Sequence, residues 1–213
     1  PFNKQAMRLV DPHYEDEIVF AEKRLGLEGR AAEFNIVDAF WNARVTSHVP
    51  LRRVAELITQ ERILQRLRLT DATLRDFGVA EPRIAVAALN PHAGDGGAFG
   101  TEEIEVIGPA VERARGEGLA VEGPFPADTV FVRARTGVWH AVLSMYHDQG
   151  QIAVKLLGFD HGVTLLGGLP FPIATPAHGT ALDIAGRGVA DPRPTLRAFG
   201  IVVKLARRRS GGA

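Results

Sequence analysis

The chain has 213 residues, 46% of them hydrophobic, with 25 basic side chains balancing 25 acidic ones. That length and apolar content can bury a sizeable core, while the balanced charge lacks the basic footprint that nucleic-acid binding needs. The absence of cysteine excludes disulfides, thiolate metal sites and a cysteine nucleophile and fits a reducing cytoplasm, and no apolar run approaches the roughly 18 residues of a membrane span.

The chain opens on Pro1-Phe-Asn-Lys4, without an initiator methionine, and reads like the middle of a longer sequence, so a fragment is expected. Residues 15–25 (EDEIVFAEKRL) space Ile18, Val19, Ala21 and Leu25 as an amphipathic helix, acidic at its start, basic at its end and stopped by Gly26 or Gly29. Residues 33–49 are rich in β-branched and aromatic side chains and predict two strands ending before Pro50. From 50 to 77 the pattern is helical, with Thr59 as cap of a helix carrying Ile63, Leu64, Leu67 and Leu74. Strands are then predicted at 83–90, 138–146, 151–157 and 162–166, and helices at 102–115 and 195–208, with a loop at 91–101 holding four glycines. This alternation predicts an α/β fold with a largely parallel sheet.

Three of the seven histidines, His48, His92 and His147, each follow an apolar run, so they can converge on one rim of the sheet or at a subunit contact. Three neutral imidazoles with open positions form the ligand set of a catalytic divalent metal, although their spacing matches no short motif and each reads equally as a hydrogen-bonded loop histidine. Asp148, beside His147, is either a group orienting that ring or a helix cap. The loop NPHAGDGGAFG (90–100) invites a phosphate cradle, yet it lacks both the dinucleotide and the P-loop spacing, and Glu102 and Glu103 follow it. Lys155 lies in QIAVKLL (151–157), where strand alternation places it with Ala153 and Leu157. It is an anchor for a substrate carboxylate or phosphate, or an edge-strand lysine reaching solvent.

Taken as strings, HGTALDIAGRGVADP (178–192) resembles the adenosine-binding loop of the isocitrate and isopropylmalate dehydrogenase superfamily. NPHAGDGGAFG, GPFPADTVF (123–131), MYHDQG (145–150) and GLPF (168–171) together resemble the 4-hydroxythreonine-4-phosphate dehydrogenase family within it. The resemblance runs from Pro1 to about Leu205. It implies the three-layer fold of that superfamily without its N-terminal portion: residues 1–170 form the substrate, metal and dimerisation region, and 171–213 the cofactor loop and a helix returning to the other domain. It implies that His48, His92 and His147 ligate one divalent ion (zinc, magnesium, manganese or cobalt), the set being completed across a homodimer interface. NAD or NADP is implied at His178, Gly179, Thr180 and Ala181.

The same resemblance marks departures. The phosphate-side anchors fall on Lys155, Thr164 and Ile173, where the family typically has asparagine and arginine at the second and third; isoleucine cannot replace the arginine's bidentate bonds to phosphate. The family's His-Thr pair falls on Asp16 and Glu17, whose charge disfavours a dianionic ligand. The implied activity is therefore oxidation of a secondary alcohol by NAD with decarboxylation of the β-keto acid, on a non-phosphorylated hydroxy acid or cyclic diol carboxylate, with Asp128 or Asp148 either relaying protons or serving only as structural caps. The alternatives are 4-hydroxythreonine-4-phosphate itself, as in pyridoxal phosphate biosynthesis, a zinc-type hydrolase, or a binding protein without turnover.

Overall fold

The computed structural model describes residues 3–158 and 162–211; Pro1 and Phe2, where the fragment reading begins, lie outside the described residues. Helix α1 (Lys4–Val10) starts at Asn3, whose side chain accepts the Ala6 N–H. Helix α2 (Glu17–Leu25) starts at Asp16, whose carboxylate accepts the Val19 N–H, and stops at Gly26 in the left-handed conformation that glycine adopts without strain. The two strands expected next are β1 (Ala32–Ile36) and β2 (Trp41–Arg44). The short helix α3 (Val54–Leu57) precedes α4 (Gln60–Phe77), which Thr59 caps as expected and which buries Ile63, Leu64, Leu67 and Leu74.

The rest alternates: β3 (Arg83–Ala87), α5 (Gly108–Gly116), β4 (Ala120–Phe125), α6 (Ala127–Ala134), β5 (Ala141–Ser144), α7 (His147–Gly158), β6 (Val163–Gly167), β7 (Ile173–Pro176) and α8 (Arg193–Arg209). A π-helical stretch, Glu103–Ile107, leads into α5. The seven strands form one sheet in the order β4-β3-β5-β2-β1-β6-β7. The expected parallel pairing holds through β4-β3-β5-β2, while β1, β6 and β7 join antiparallel. The loops joining β1 to β2 and β6 to β7 are too short for a parallel crossover.

Helices cover both faces, giving three layers. On one, α4, α5 and α8 pack on Phe34, Trp41, Ile84, Val86 and Leu165, the main core. On the other, α6 and α7 pack on Phe40, Ala85, Trp139 and Val142, and α2 lies over Leu166 and Ile173.

One expected strand is a helix. Residues 151–157 belong to α7, which buries Gly150 and Val154, one turn apart, against the sheet. A Cβ at Gly150 would overlap the Asn42 side chain, so only glycine lets the helix come this close. The reading of Lys155 on a strand face with Ala153 and Leu157 is corrected accordingly. The apolar run 138–146 holds a strand only from Ala141 to Ser144, and His147 is the first residue of the next helix. Strands β4 and β7 and helices α1 and α6 were not among the predicted elements.

Candidate functional site

On the face covered by α2 and α7, strand pairing aligns polar side chains that would otherwise be out of place in a core. Asn35 pairs with Asn42 on one side and Thr164 on the other, and Thr164 pairs with Thr175. Paired residues of antiparallel strands project from the same face, so four polar residues form a row across the sheet. Glu33, Leu166 and Ile173 form the next row. Arg44, buried on β2, donates through Nη1 to Asn35 Oδ1 at 3.0 Å and through Nη2 to the Glu33 carboxylate.

At one end of this face stand two of the predicted metal ligands. The rings of His48 and His147 lie 5.7 Å apart between centroids. His48 Nδ1 is 2.8 Å from Asp16 Oδ2, and His147 Nδ1 is 2.6 Å from Asp148 Oδ1. A carboxylate only accepts, so each Nδ1 carries the proton and each Nε2 keeps its lone pair in the neutral ring. This is the arrangement by which carboxylates orient metal-binding imidazoles. Asp16 thus serves twice, capping α2 with one oxygen and holding His48 with the other. The hydrogen bond to Asp16 pushes the His48 pKa up, against the effect of burial. Burial alone would raise the Asp16 pKa, but the bonds from His48 and the Val19 N–H outweigh it and hold that carboxyl below its usual range.

His92 stands apart from this pair. It is exposed on the glycine loop, its ring 6.0 Å from Phe99, and among the described residues no group of three or more histidines and carboxylates forms a metal-holding cluster within one chain. From His92 through Gly96 all five φ values are positive, and Glu103 supports this left-handed turn from behind by accepting the backbone N–H groups of Leu89 and Asn90 at 2.8 Å each. His48 and His147 thus offer two Nε2 donors suited in chemistry to a divalent ion, and among the described residues His92 does not stand beside them.

Two cavities flank the polar rows. One of about 240 Å³ is bordered by Asp16, His48, Ser47, Glu33 and Arg44. The other, about 460 Å³, lies between α2 and strands β6 and β7. It brings together predicted substrate residues Glu17, Thr164 and Ile173 with predicted cofactor residue His178, beside Tyr14 and Phe20. Burial first, then the charges of Glu17 and Asp16, push the Tyr14 pKa up to about 12, so it stays a phenol. Gly179, Thr180 and Ala181 continue outward as an exposed loop, Ala181 with φ of 47°.

Lys155 borders a small pocket with Asn35, Gln151 and Thr164, at the edge of the polar row. Asp128 and Asp148 both border a groove of about 390 Å³ between α6 and α7, Asp148 while also holding His147, and the other walls of that groove are mainly apolar, including Val132, Ile152 and Leu156. Gln149 ties the strand ends together, its Oε1 accepting from the Met145 N–H and its Nε2 donating to Ala88 O. Glu33, Asn35, Asn42 and Arg44 were not among the predicted site residues. Their signal was polar side chains at alternate positions of two strands destined for the middle of a sheet.

The model of the family described as "Pyridoxal phosphate biosynthetic protein PdxA" matches residues 1–202. A Rhizobium meliloti (strain 1021) protein provisionally named 4-hydroxythreonine-4-phosphate dehydrogenase 2 is 58% identical over 209 residues, covering 98% of this chain and 60% of its own length. The 4-hydroxythreonine-4-phosphate dehydrogenase of Xanthomonas axonopodis pv. citri (strain 306) is 49% identical over 168 residues, 78% of this chain and 52% of its own. Among solved structures, the Klebsiella pneumoniae 4-hydroxythreonine-4-phosphate dehydrogenase superposes with a TM-score of 0.84 at 37% identity, covering 97% of this chain and 63% of that one. A terephthalate 1,2-cis-dihydrodiol dehydrogenase from Burkholderia xenovorans LB400 gives 0.74 at 29%, covering 89% and 61%. A β-decarboxylating dehydrogenase from Thermococcus kodakarensis, at 20% identity and 0.58, shares the fold alone. The chain thus spans less than two thirds of the relatives it matches. With a family model covering all but the last residues, on the isocitrate and isopropylmalate dehydrogenase-like fold, this chain belongs to the PdxA family of pyridoxal phosphate biosynthetic proteins.

Proposed function

We propose that this chain carries the metal and substrate side of a nicotinamide-dependent dehydrogenase that oxidises a secondary alcohol of a hydroxy acid, with loss of carbon dioxide from the β-keto acid. One observation carries the reading: two imidazoles, each held on Nδ1 by a carboxylate, stand at one end of a sheet face whose cavity gathers Glu17, Thr164, Ile173 and His178. The relatives' names, all dehydrogenases, support the same reaction class.

His48 and His147 would hold a divalent metal through Nε2, and His178 with Gly179, Thr180 and Ala181 would hold NAD or NADP. When bound, the metal supplies Lewis acidity toward the substrate hydroxyl and the nicotinamide accepts the hydride. The chain's own groups do the rest. Asp16 and Asp148 fix the two rings; Lys155, at the edge of the polar row, steadies the anionic end of the substrate; Asp128 stands in the first turn of α6 as a proton carrier. The substrate is a non-phosphorylated hydroxy acid or cyclic diol carboxylate, since Ile173 presents no cation to the cavity. A second reading, 4-hydroxythreonine-4-phosphate itself, is favoured by the names of the relatives.

A homodimer completes the site. The groove between α6 and α7 exposes Ile152 at 61% and Leu156 at 82%, and Asp148 borders it next to His147. A second copy seated there can bring the missing imidazole, His92, to the pair. The test uses the full-length protein with added divalent metal, following NADH absorbance over a panel of hydroxy acids and their phosphate esters. NADH formation is expected, and His92→Ala and His147→Ala should each lose bound metal and activity together. No NADH with any compound, or unchanged metal stoichiometry in His147→Ala, refutes the reading. Metal-dependent ester hydrolysis without NAD would point to a hydrolase instead.

A further inference from the structure

Glu33 and Arg44 have no part in the chemistry above, yet they stand between the two cavities. Arg44 is among the most deeply placed charges in the chain, its side chain 3% exposed, with Glu33 at 17% as its anion. A guanidinium removed from water persists only against such a partner. Glu33 borders both the 240 Å³ cavity beside His48 and the 460 Å³ cavity beside Thr164 and His178.

The hydrogen bonds here run in one direction. Arginine can only donate, so Asn35 must turn Oδ1 toward Arg44 and its amide nitrogen toward Thr164 Oγ1, 3.1 Å away. The Thr164 hydroxyl accepts from Asn35 and keeps its own proton for a ligand. The larger cavity therefore offers a carboxylate acceptor at Glu33, a hydroxyl donor at Thr164 and a second carboxylate at Glu17, against the exposed guanidinium of Arg24. A neutral hydroxylated group, both donor and acceptor, satisfies that wall. A phosphate dianion in that cavity would meet the Glu33 and Glu17 carboxylates, with the exposed Arg24 as the guanidinium lining it, and like charges repel more strongly where water is excluded.

We infer that Glu33, fixed in place by Arg44, is the specificity-determining residue of this site: it selects a substrate whose distal end is a neutral hydroxyl-bearing group and rejects the corresponding phosphate ester. The inference rests on the dehydrogenase reading for the identity of the site, but selection is a property of binding and is measured without turnover. Arg44 is the positioning residue, acting through Glu33.

The test titrates full-length, metal-loaded protein calorimetrically with 4-hydroxythreonine and with its 4-phosphate. The wild type should bind the unphosphorylated compound more tightly. Glu33→Gln, which keeps the shape and an acceptor for Arg44 but removes the charge, should move the ratio of the two dissociation constants toward the phosphate by about tenfold or more. Arg44→Lys, with charge kept and fork lost, should weaken the unphosphorylated ligand severalfold without reversing the preference. If Glu33→Gln fails to fold, Glu33→Gln combined with Arg44→Gln removes both charges together and must shift the ratio in the same sense. A wild type that prefers the phosphate, no binding of either compound, or a ratio unchanged within twofold in the charge-removing variant overturns the inference. Absence of NADH with both compounds would count against the dehydrogenase reading alone.

Discussion

Glu103 is buried behind the strained glycine loop, and its oxygens accept from the Leu89 and Asn90 N–H groups and from Asn90 Nδ2 at 2.9 Å. Burial pushes its pKa up, but the Asn90 and Leu89 donors outweigh that and hold the carboxyl below its usual range. A group whose folded pKa is depressed contributes stability above its unfolded pKa, roughly 4.3, and loses it as pH falls through the folded value. Glu103→Gln should therefore lower stability at pH 7 by about 1–3 kcal/mol, with the gap to wild type shrinking below pH ~4; urea unfolding at both pH values checks it, and a constant gap would refute it. At the substrate end, Thr164→Asn with Ile173→Arg restores the residues typical of the family. It should tighten phosphate-ester binding by tenfold or more, roughly what a charge-assisted pair adds, read by calorimetry; no change would place the phosphate subsite elsewhere. Single residues with an unusual neighbourhood were legible in the sequence, as with the cap Thr59 and the approach of His48 to His147, while His92 stands apart from them. The second duty of Asp16 was not, because its partner His48 is 32 residues away and only the fold brings them together.

Helix α7 is the element on which the site turns, since it begins at His147, faces the polar row through Lys155 and meets Asn42 at Gly150. Replacing Gly150 by alanine should force the helix off the sheet and destabilise the protein by about 1–3 kcal/mol, the usual effect of overpacking. In a chain of this size that is a fall of several degrees in the thermal midpoint. Because His147 lies one turn away, metal affinity should fall with it; circular dichroism melts and a metal titration read the two effects, and an unchanged midpoint would mean the close approach is absent. This helix is also where pattern reading failed. QIAVKLL is apolar enough for a buried strand and too short for periodicity to separate strand from helix, and the deciding contact, glycine against Asn42, is tertiary. The long helix α4, with its cap, its left-handed stop at Gly78 and its buried stripe, needed no such contact and was readable throughout. Strand β7 escaped because a sheet edge with Ile173, Ala174, Thr175 and Pro176 carries little alternation of its own.

Across the whole molecule the two sheet faces divide the labour. The face under α4, α5 and α8 is apolar and holds the fold together, while the face under α2 and α7 carries the polar rows and both cavities. That division rests on β1 and β2, where Phe34, Ile36, Trp41 and Ala43 point one way and Glu33, Asn35, Asn42 and Arg44 the other; the alternation is in the sequence, but its meaning depends on strand order. The groove between α6 and α7 is mainly apolar and open in a single chain, next to the paired rings of His48 and His147. If a second copy covers it, a charge placed there must separate the protomers without unfolding them. Leu156→Glu is suited to this because the side chain is 82% exposed, so folding stability should move by no more than about 0.5 kcal/mol. Sedimentation velocity on the full-length protein should show a dimer for the wild type and a monomer for the variant. Metal stoichiometry should fall with dimerisation, because His92 then no longer reaches the partner's pair. A wild type that sediments as a monomer, or a dissociated variant that keeps its metal, would mean that one chain assembles the ligand set alone.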